Sequence, residues 1–304
     1  AQKRAVLSWG KAMHAVDVPS MYALKKADTA IRELDNGITR KVVSLAGNIF
    51  YMNEVHAAIA KDFSNPLTRH AMTDYPRANA NSVSEVHDGS KMLQDLPDEL
   101  SSPAVRVRGR IFFVNELLQT IHGTFYIPER FFYAPAEPLE RNQSVEVDYK
   151  LHALVCEVTG KYQVGSRRVI APISWFNLSY AELVEQGKML VGFEGMFTCF
   201  KQCASLTTAP CHCVDGSSTY AAKMPNPLRA KSKGRMVYAV PLIVFMDDVS
   251  GNISKQWNKH HVIYMSNASL SREMLEKQFC VRFVTASPHA SPMELMAAMK
   301  ESIW

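Results

Sequence analysis

The 304-residue sequence lacks the features of several common protein classes. No apolar run approaches the roughly 18 residues of a membrane-spanning helix, and the N-terminal segment AQKRAVLSWGKAMHAV has no apolar stretch of the kind found in signal peptides. Six cysteines in a chain of this length do not form a disulfide scaffold. We therefore expect an intracellular protein with no membrane partner. Because the first residue is not Met, we also expect a segment of something longer.

Familiar catalytic motifs are missing as well. The sequence contains no glycine-rich phosphate loop, no Gly-x-Ser-x-Gly elbow, no His-Glu-x-x-His pair and no kinase motif set. The formal charge of +5 is mildly basic, which permits nucleic-acid binding without requiring it. The length suits one large domain or two ordinary ones.

Two segments of the N-terminal half share one pattern. They are GNIFYMNEVHAAI (47–59) and GRIFFVNELLQTI (109–121), with Gly, Ile, Phe, Asn, Glu and Ile at the same offsets. Each predicts a turn, a short aromatic strand, an asparagine N-cap and an amphipathic helix. The match indicates a duplicated hairpin-helix module, or else only the general look of any strand that leads into an N-capped helix. Apolar spacing predicts one further helix over 19–34.

The middle of the chain is predicted to be mostly β. The segments GTFYIPERFFYA, SVEVDYKLHALVCEV and SRRVIAPISWF are rich in β-branched and aromatic residues. Ser179 then predicts the cap of a short helix. The sequence becomes irregular at 198–235, so we place the domain boundary there. The expected organisation is an α+β domain over 1–195, a Cys-rich and basic linker over 196–235, and a second domain over 236–304.

The last segment predicts three strands and a final helix. The strands are VPLIVFM, HHVIYMS and FCVRFVT, with a short helix SREMLEK before the third. Ser291, Pro292 and Glu294 form a capping-box start for the final helix. This β-β-β-α order is how a ribonuclease-H-like fold begins, so we predict a partial α/β segment of that kind. The first strand of that fold is central and buried, which the run LIVFM satisfies.

Two carboxylates, Asp247 and Asp248, end this apolar run at a Ser-Gly-Asn turn. Phosphodiester cleavage uses two divalent ions about 3.5–4 Å apart, and hard oxygen ligands on a rigid strand suit Mg²⁺. Because side chains alternate along a strand, only one of the two carboxylates faces such ions. The alternative is turn chemistry, in which Asp hydrogen-bonds its own backbone. Both residues are catalytic candidates, and Asp247 is the candidate magnesium ligand.

Basic residues flank the strand on both sides. The candidate nucleic-acid-binding residues are Arg229, Lys231, Lys233 and Arg235 before it, and Lys255, Trp257 and Lys259 after it. Cations neutralise phosphates, and an exposed Trp stacks on a base. The alternative is a solvated loop with a half-buried Trp.

A cysteine-rich segment is a second candidate metal site. Its ligands would be Cys199, Cys203, Cys211 and Cys213, with His212 beside them. Zinc binds four such ligands tetrahedrally, with the thiols deprotonated. The spacing contains no standard Cys-x₂-Cys pair, so a zinc site and a set of free thiols both stay open.

Several of these segments resemble a known family. MPNPLRAKSKGR, DDVSGN and WNKH, together with the strands that follow, resemble the large transposon-encoded proteins of mushroom-forming fungi. These are the Plavaka group, related to the Kyakuja–Dileera–Zisupton transposases. PSMYALKK, FSNPLTRHAMTDYP and GRIFFVNELL occur in the same order in such proteins. The likeness covers most of the chain and is most specific over 224–292.

The resemblance implies a nuclear DNA-processing protein with a ribonuclease-H-like core. Mg-dependent cleavage and strand transfer would belong to the full-length protein, and Asp247/Asp248 would match the family's first acidic position. The family's later acidic residues would lie beyond the first helix of this core, so this chain would be an incomplete nuclease. The alternative is a non-catalytic nucleic-acid-binding or protein-interaction module derived from a transposon. The expected partners are DNA and either a second copy or the rest of a longer chain.

Overall fold

The structure is a computed structural model. It describes residues 2–34, 38–78, 84–136, 148–159, 163–186, 220, 222–250 and 259–303. The described residues form a mixed α/β protein, which confirms the predicted mixture of helices and strands. The strands lie in antiparallel sheets. None of the described helices is both long enough and apolar enough to cross a membrane.

The helices and strands fall close to the predicted segments. The helices are α1 (Gln2–Ala12), α2 (Met21–Leu34), α3 (Val55–Ser64), α4 (Pro66–His70), α5 (Ser90–Gln94), α6 (Tyr180–Glu185), α7 (Pro227–Ser232), α8 (Arg272–Leu275) and α9 (Pro292–Ile303). The strands are β1 (Thr39–Val43), β2 (Ile49–Asn53), β3 (Ala104–Val107), β4 (Arg110–Phe113), β5 (Leu118–Thr120), β6 (Phe125–Pro135), β7 (Tyr149–Thr159), β8 (Gln163–Pro172), β9 (Phe176–Leu178), β10 (Leu242–Ser250), β11 (Lys259–Asn267) and β12 (Val281–Ser287).

The chain divides into two compact units that are not consecutive in sequence. The first unit comprises Ala1–Arg69, Ile243–Ser266 and Lys277–Trp304, and the second comprises His70–Leu242 and Asn267–Glu276. Each predicted domain, 1–195 and 236–304, is one continuous segment of the chain. The observed first unit instead takes its strands from both ends of the chain.

The first unit is built on a five-stranded sheet in the order β1-β2-β12-β11-β10. β1 and β2 form an antiparallel hairpin, and β2 continues antiparallel onto β12, where Met52 lies opposite Thr285. Helix α3 contacts α9, where the backbone N–H of Val55 donates to Ser302 Oγ, and it contacts β12, where Arg282 pairs with Asp62. The capping box predicted for α9 is confirmed: the N–H of Ser291 donates to Glu294 Oε2 over 2.7 Å.

Strand β10 is not the central buried strand that its apolar run predicts. It lies at the edge of the sheet next to β11, and its described residues from 243 to 249 are exposed. Phe245, for example, is 56% exposed. The prediction was wrong because an apolar run shows only that a strand can be buried. Whether its side chains are buried depends on what covers the two faces of the sheet, and the residues on both faces of β10 are exposed.

The second unit contains the sheet β8-β7-β6-β5-β9 and the hairpin β3-β4. The predicted β-rich middle is confirmed, since β6, β7 and β8 form a continuous antiparallel meander. Its aromatic core includes Phe112, Phe131 and Phe176. The predicted cap of α6 is also confirmed, because Ser179 and Glu182 form a capping box.

The duplicated hairpin-helix module is wrong in its second copy. In the first copy β2 leads into α3, although Glu54 rather than Asn53 is the N-cap residue. In the second copy β4 leads through a turn into another strand, β5. Asn115 has a φ of 60°, in the left-handed region, and Glu116 is buried against Arg229. This buried carboxylate holds the segment in the turn, so the local helical pattern of NELLQTI does not decide its structure.

Candidate nucleic-acid interface

Both predicted catalytic carboxylates lie on the exposed edge strand β10. Asp247 Oδ1 accepts a hydrogen bond from the backbone N–H of Asp248 over 2.8 Å. Asp248 Oδ2 lies 3.7 Å from Lys259 Nζ, with both side chains more than half exposed. Both carboxylates of β10 are therefore engaged with local partners, and the residues after Ser250 that would form the predicted turn lie outside the described residues.

A two-magnesium site is not assembled by these residues. In the described ranges, no group of three or more His, Cys, Asp or Glu side chains could hold a metal ion. Alternation along β10 also sends the Asp247 and Asp248 side chains to opposite faces. The described residues thus do not by themselves bring together the ligands of a two-magnesium site, and the magnesium expectation for Asp247 stays a prediction.

The cysteine segment 199–213 and the residues Lys255 and Trp257 lie outside the described residues. The zinc expectation for Cys199, Cys203, Cys211 and Cys213 therefore stays a prediction. Two other cysteines are described, Cys156 and Cys280, and both are buried free thiols. Burial raises the pKa of each above its ordinary value, which disfavours the thiolate that metal binding and nucleophilic attack require.

Arg229 is an anchor between two elements of the second unit. Asn226 caps α7 by accepting a hydrogen bond from the N–H of Leu228, which directs Arg229 toward Glu116. Arg229 Nε donates to Glu116 Oε1 over 2.8 Å, and Nη2 donates to Oε2 over 2.5 Å. Its guanidinium also lies 4.8 Å from the centre of the Phe113 ring. Glu116 is only 2% exposed, so this bidentate pair holds α7 in place and leaves the guanidinium little freedom to bind phosphate.

The three cations that follow Arg229 are exposed. Lys231 lies in α7, and Lys233 and Arg235 flank Gly234 just after the helix. Lys233 and Gly234 both have positive φ, 49° and 75°. The turn is tight, and its three cations are exposed whereas Arg229 is half-buried. The structure therefore supports solvent-facing positions for three of the four basic residues predicted before β10.

A second basic turn of the same type joins β3 to β4. Its residues run Arg106-Val107-Arg108-Gly109-Arg110, and Lys231-Ser232-Lys233-Gly234-Arg235 has the same order of cations around one glycine. Arg108 and Gly109 have φ values of 48° and 81°, matching Lys233 and Gly234. Sequence reasoning missed this hairpin, although the repeated cation-x-cation-Gly-cation pattern was available to find it.

The two turns are connected through Arg229. Its Nη2 donates to the carbonyl oxygen of Ile111 over 3.2 Å, and Ile111 lies opposite Arg106 in the β3–β4 register. Lys231 is two residues after Arg229 on the same helix. Ordinary helix and strand spacings therefore put Arg106 and Lys231 within about 20 Å of each other.

We call the exposed members of both turns the basic surface. They are Arg106, Arg108, Lys231, Lys233 and Arg235. Within the described part of the chain, none of them makes an ion pair, although Arg108 Nη2 donates to the carbonyl of Ser174 over 3.2 Å.

Arg110, by contrast, pairs with Glu182. Burial raises the pKa of Glu182, but hydrogen bonds from Ser179 and Arg110 outweigh this and hold it below the ordinary value. Glu182 thus stays charged and neutralises Arg110 rather than the basic surface.

A comparison with protein families gives a match over the middle of the chain. Residues 104–238 match a family described as a domain of unknown function, DUF8591. The matched segment starts on β3 and ends just beyond α7, so it contains both basic turns as well as Glu116 and Arg229. Searches of curated proteins and of solved structures give no match.

Proposed function

We propose that this chain is the nucleic-acid-binding part of a transposase-like DNA-processing protein, acting in the nucleus of a fungal cell. The observation that carries the proposal is the basic surface. Five exposed cations stand on two matching turns, and a buried ion pair holds the turns together. Phosphate binding requires cations that are fixed in position and not already neutralised. The resemblance to fungal transposon proteins indicates that the nucleic acid is DNA.

The mechanism is backbone recognition. Arg106 and Arg108 on the hairpin, and the three cations of the α7 turn, would contact phosphates and release condensed counterions. Each such contact contributes about 0.9 to the slope of log affinity against log salt. Arg229 and Glu116 act as positioning residues, because they fix the α7 turn against β4.

The test measures binding of a fluorescent DNA duplex at several salt concentrations. The wild-type chain is expected to bind with a steep salt dependence. The triple variant Lys231→Gln/Lys233→Gln/Arg235→Gln and the double variant Arg106→Gln/Arg108→Gln should each bind more weakly with a shallower slope. The slope should fall by about 0.9 for each phosphate that the variant no longer neutralises.

A charge-matched control separates this surface from general attraction. Lys11→Gln/Lys41→Gln/Lys300→Gln removes the same charge from exposed lysines of the first unit. It should leave the affinity and the slope close to wild type. If it weakens binding as much as the α7 triple variant, or if binding does not depend on salt, the proposed interface is incorrect.

Mg-dependent cleavage by a ribonuclease-H-like core is a second candidate function. Its support is the strand order β10-β11-β12 followed by α9, the β-β-β-α order in which Asp247 would be the first acidic ligand. The pairing of Asp248 with Lys259 and the absence of a metal-ligand group among the described residues favour the binding module. Completion of the site would require carboxylates from outside those residues.

Nicking of supercoiled plasmid decides between the two. A catalytic chain should nick in Mg²⁺ or Mn²⁺ and lose this activity in Asp247→Ala. Equal nicking by both proteins would remove Asp247 from catalysis, and salt-dependent binding with no nicking supports the binding module. The expected protein partner, either a second copy or the rest of a longer chain, stays a prediction, and sedimentation of the DNA-free protein would test for the second copy.

A further inference from the structure

The second unit contains a cavity remote in sequence from the basic turns. It has a volume of about 380 Å³. Its walls come from three stretches of chain, around Asp74, from His87 to Ser102, and from Ala239 to Pro241. Cavities of this size accommodate small organic molecules.

Two buried polar side chains in the wall have no hydrogen-bond partner among the described residues. His87 is 3% exposed, and neither of its ring nitrogens makes a hydrogen bond there. Ser101 Oγ, also buried, makes none either. Leaving a buried polar group unsatisfied is costly, and nearly all such groups in proteins have a partner. One ring nitrogen of a neutral histidine accepts hydrogen bonds, as does a serine oxygen, so two unsatisfied acceptors at one cavity point to a bound molecule that donates to them.

The walls around these groups are held in place by other hydrogen bonds. Arg77 Nη1 donates to both Glu85 and Asp88, on either side of His87. Ser102 Oγ donates to the carbonyl of Asp74 and accepts from the N–H of Ala239, which joins all three stretches of the wall. The cavity is thus preformed, which lowers the entropy cost of binding.

The charges of the residues that line the cavity indicate which kind of ligand it binds. Its two ionisable carboxylates are Asp74 and Glu99, and no Lys or Arg of the described ranges lines the cavity. The imidazole of His87 is neutral at pH 7, since burial lowers its pKa to about 4. The rest of the wall is mainly apolar, formed by Pro76, Met92, Leu96, Leu100, Val240 and Pro241.

We propose that this cavity binds a small organic amine with an apolar or aromatic body. The apolar body packs against the methionine, leucine and proline side chains. The ammonium group lies beside Asp74, with its N–H groups within reach of the acceptor nitrogen of His87 and of Ser101 Oγ. An anion of the same shape is excluded, because it would meet carboxylates and no cation. This proposal is independent of the DNA-binding function.

The test is a titration of the full chain with phenethylamine. Binding is monitored by NMR, through the chemical shifts of the carbon-bound protons of the His87 ring. Phenethylamine should cause a saturable shift, and 3-phenylpropionate, a comparable ring and chain with the opposite charge, should bind at least tenfold more weakly. Asp74→Asn should weaken phenethylamine binding about tenfold. His87→Leu should abolish the binding seen by calorimetry without lowering the melting temperature, because it removes an unsatisfied polar group.

Ser101→Val provides a second variant if His87→Leu does not fold, and it should also weaken phenethylamine binding. The basic-surface variants should bind phenethylamine as the wild type does, so failure of the DNA-binding proposal is distinguishable from failure of this one. The proposal is overturned if the amine and the acid bind equally, if no saturable shift occurs, or if His87→Leu and Ser101→Val both bind like wild type.

Discussion

At the residue scale, the buried carboxylates show how far a side chain's role depends on its partner. Glu116 and Asp62 are both essentially inaccessible, and each pairs with one arginine, Arg229 or Arg282. Burying such a pair gives little net stability, but removing one member leaves a buried charge without compensation. These residues therefore tolerate substitution far less than exposed glutamates and aspartates.

Glu116→Ala is expected to lower the free energy of unfolding by about 3–5 kcal/mol, because Arg229 is left partly buried without its anion. Glu276→Ala is the matched control, since Glu276 pairs with Arg272 while both side chains are largely exposed. It should change stability by less than about 0.5 kcal/mol. Urea unfolding measures both. Similar values for the two variants would show that the Glu116–Arg229 pair is not an anchor.

The lowered pKa of His87 makes the folded protein less stable at acidic pH. Its folded pKa of about 4 lies below the ordinary 6.5, chiefly because of burial, with Arg77 adding to the decrease and Asp74 and Asp88 opposing it. The unfolded chain therefore binds a proton more readily than the folded one between these values. The contribution of His87 is complete above pH 6.5 and is lost as the pH falls toward 4.

Unfolding measured from pH 7 to pH 4 tests this dependence. His87→Leu should reduce the loss of stability over that window, and His122→Leu, a change at an exposed histidine, should leave it unaltered. A wild-type slope that persists in His87→Leu would assign the acid sensitivity to other groups.

At the element scale, local patterns predicted where elements start but not which neighbours they obtain. The capping boxes at Ser179 and Ser291 were predictable because a cap involves residues only three apart. The strand β10 was predicted in place but not at a sheet edge. The segment NELLQTI was predicted as a helix and instead forms a turn and the strand β5, because Glu116 within it is paired with a residue 113 positions later.

Two methionines of the first unit's sheet test the difference between central and edge strands. Met52 on β2 is fully buried, whereas Met246 on β10 is 39% exposed. Met52→Ala should cost about 2–5 kcal/mol through lost burial and a residual cavity. Met246→Ala should cost less than about 1 kcal/mol. Comparable losses by urea unfolding would mean that β10 is covered in solution.

At the scale of the whole molecule, the first unit is closed by contacts between the two ends of the chain. Asp62 on α3 and Arg282 on β12 are 220 residues apart in sequence, and their side chains form an ion pair. Contacts of such separation carry a large loop-closure cost, so they form only when many are made together. Stability of this unit therefore depends on both ends at once.

Asp62→Ala, a change in the N-terminal segment, should speed hydrogen exchange of the β12 amides in the C-terminal segment by at least tenfold, because Arg282 loses its buried partner. Asp248→Ala breaks only the exposed pair with Lys259 and should leave those amides nearly unchanged. Unaltered exchange in Asp62→Ala would show that the pair does not join the two segments.

Local sequence was sufficient to predict the β-rich middle, the capped helices, the order of the last elements and the solvent-facing cations of 231–235. These features depend on side-chain periodicity, cap chemistry and charge density, which act over a few residues. The three-dimensional arrangement was needed to establish that Arg229 is an anchor, that β10 is an edge strand, that a second basic turn lies beside the first, and that His87 is buried with its ring nitrogens unsatisfied by the described residues. Each of these depends on residues distant in sequence, because burial and ion pairing are fixed by what the rest of the chain places alongside.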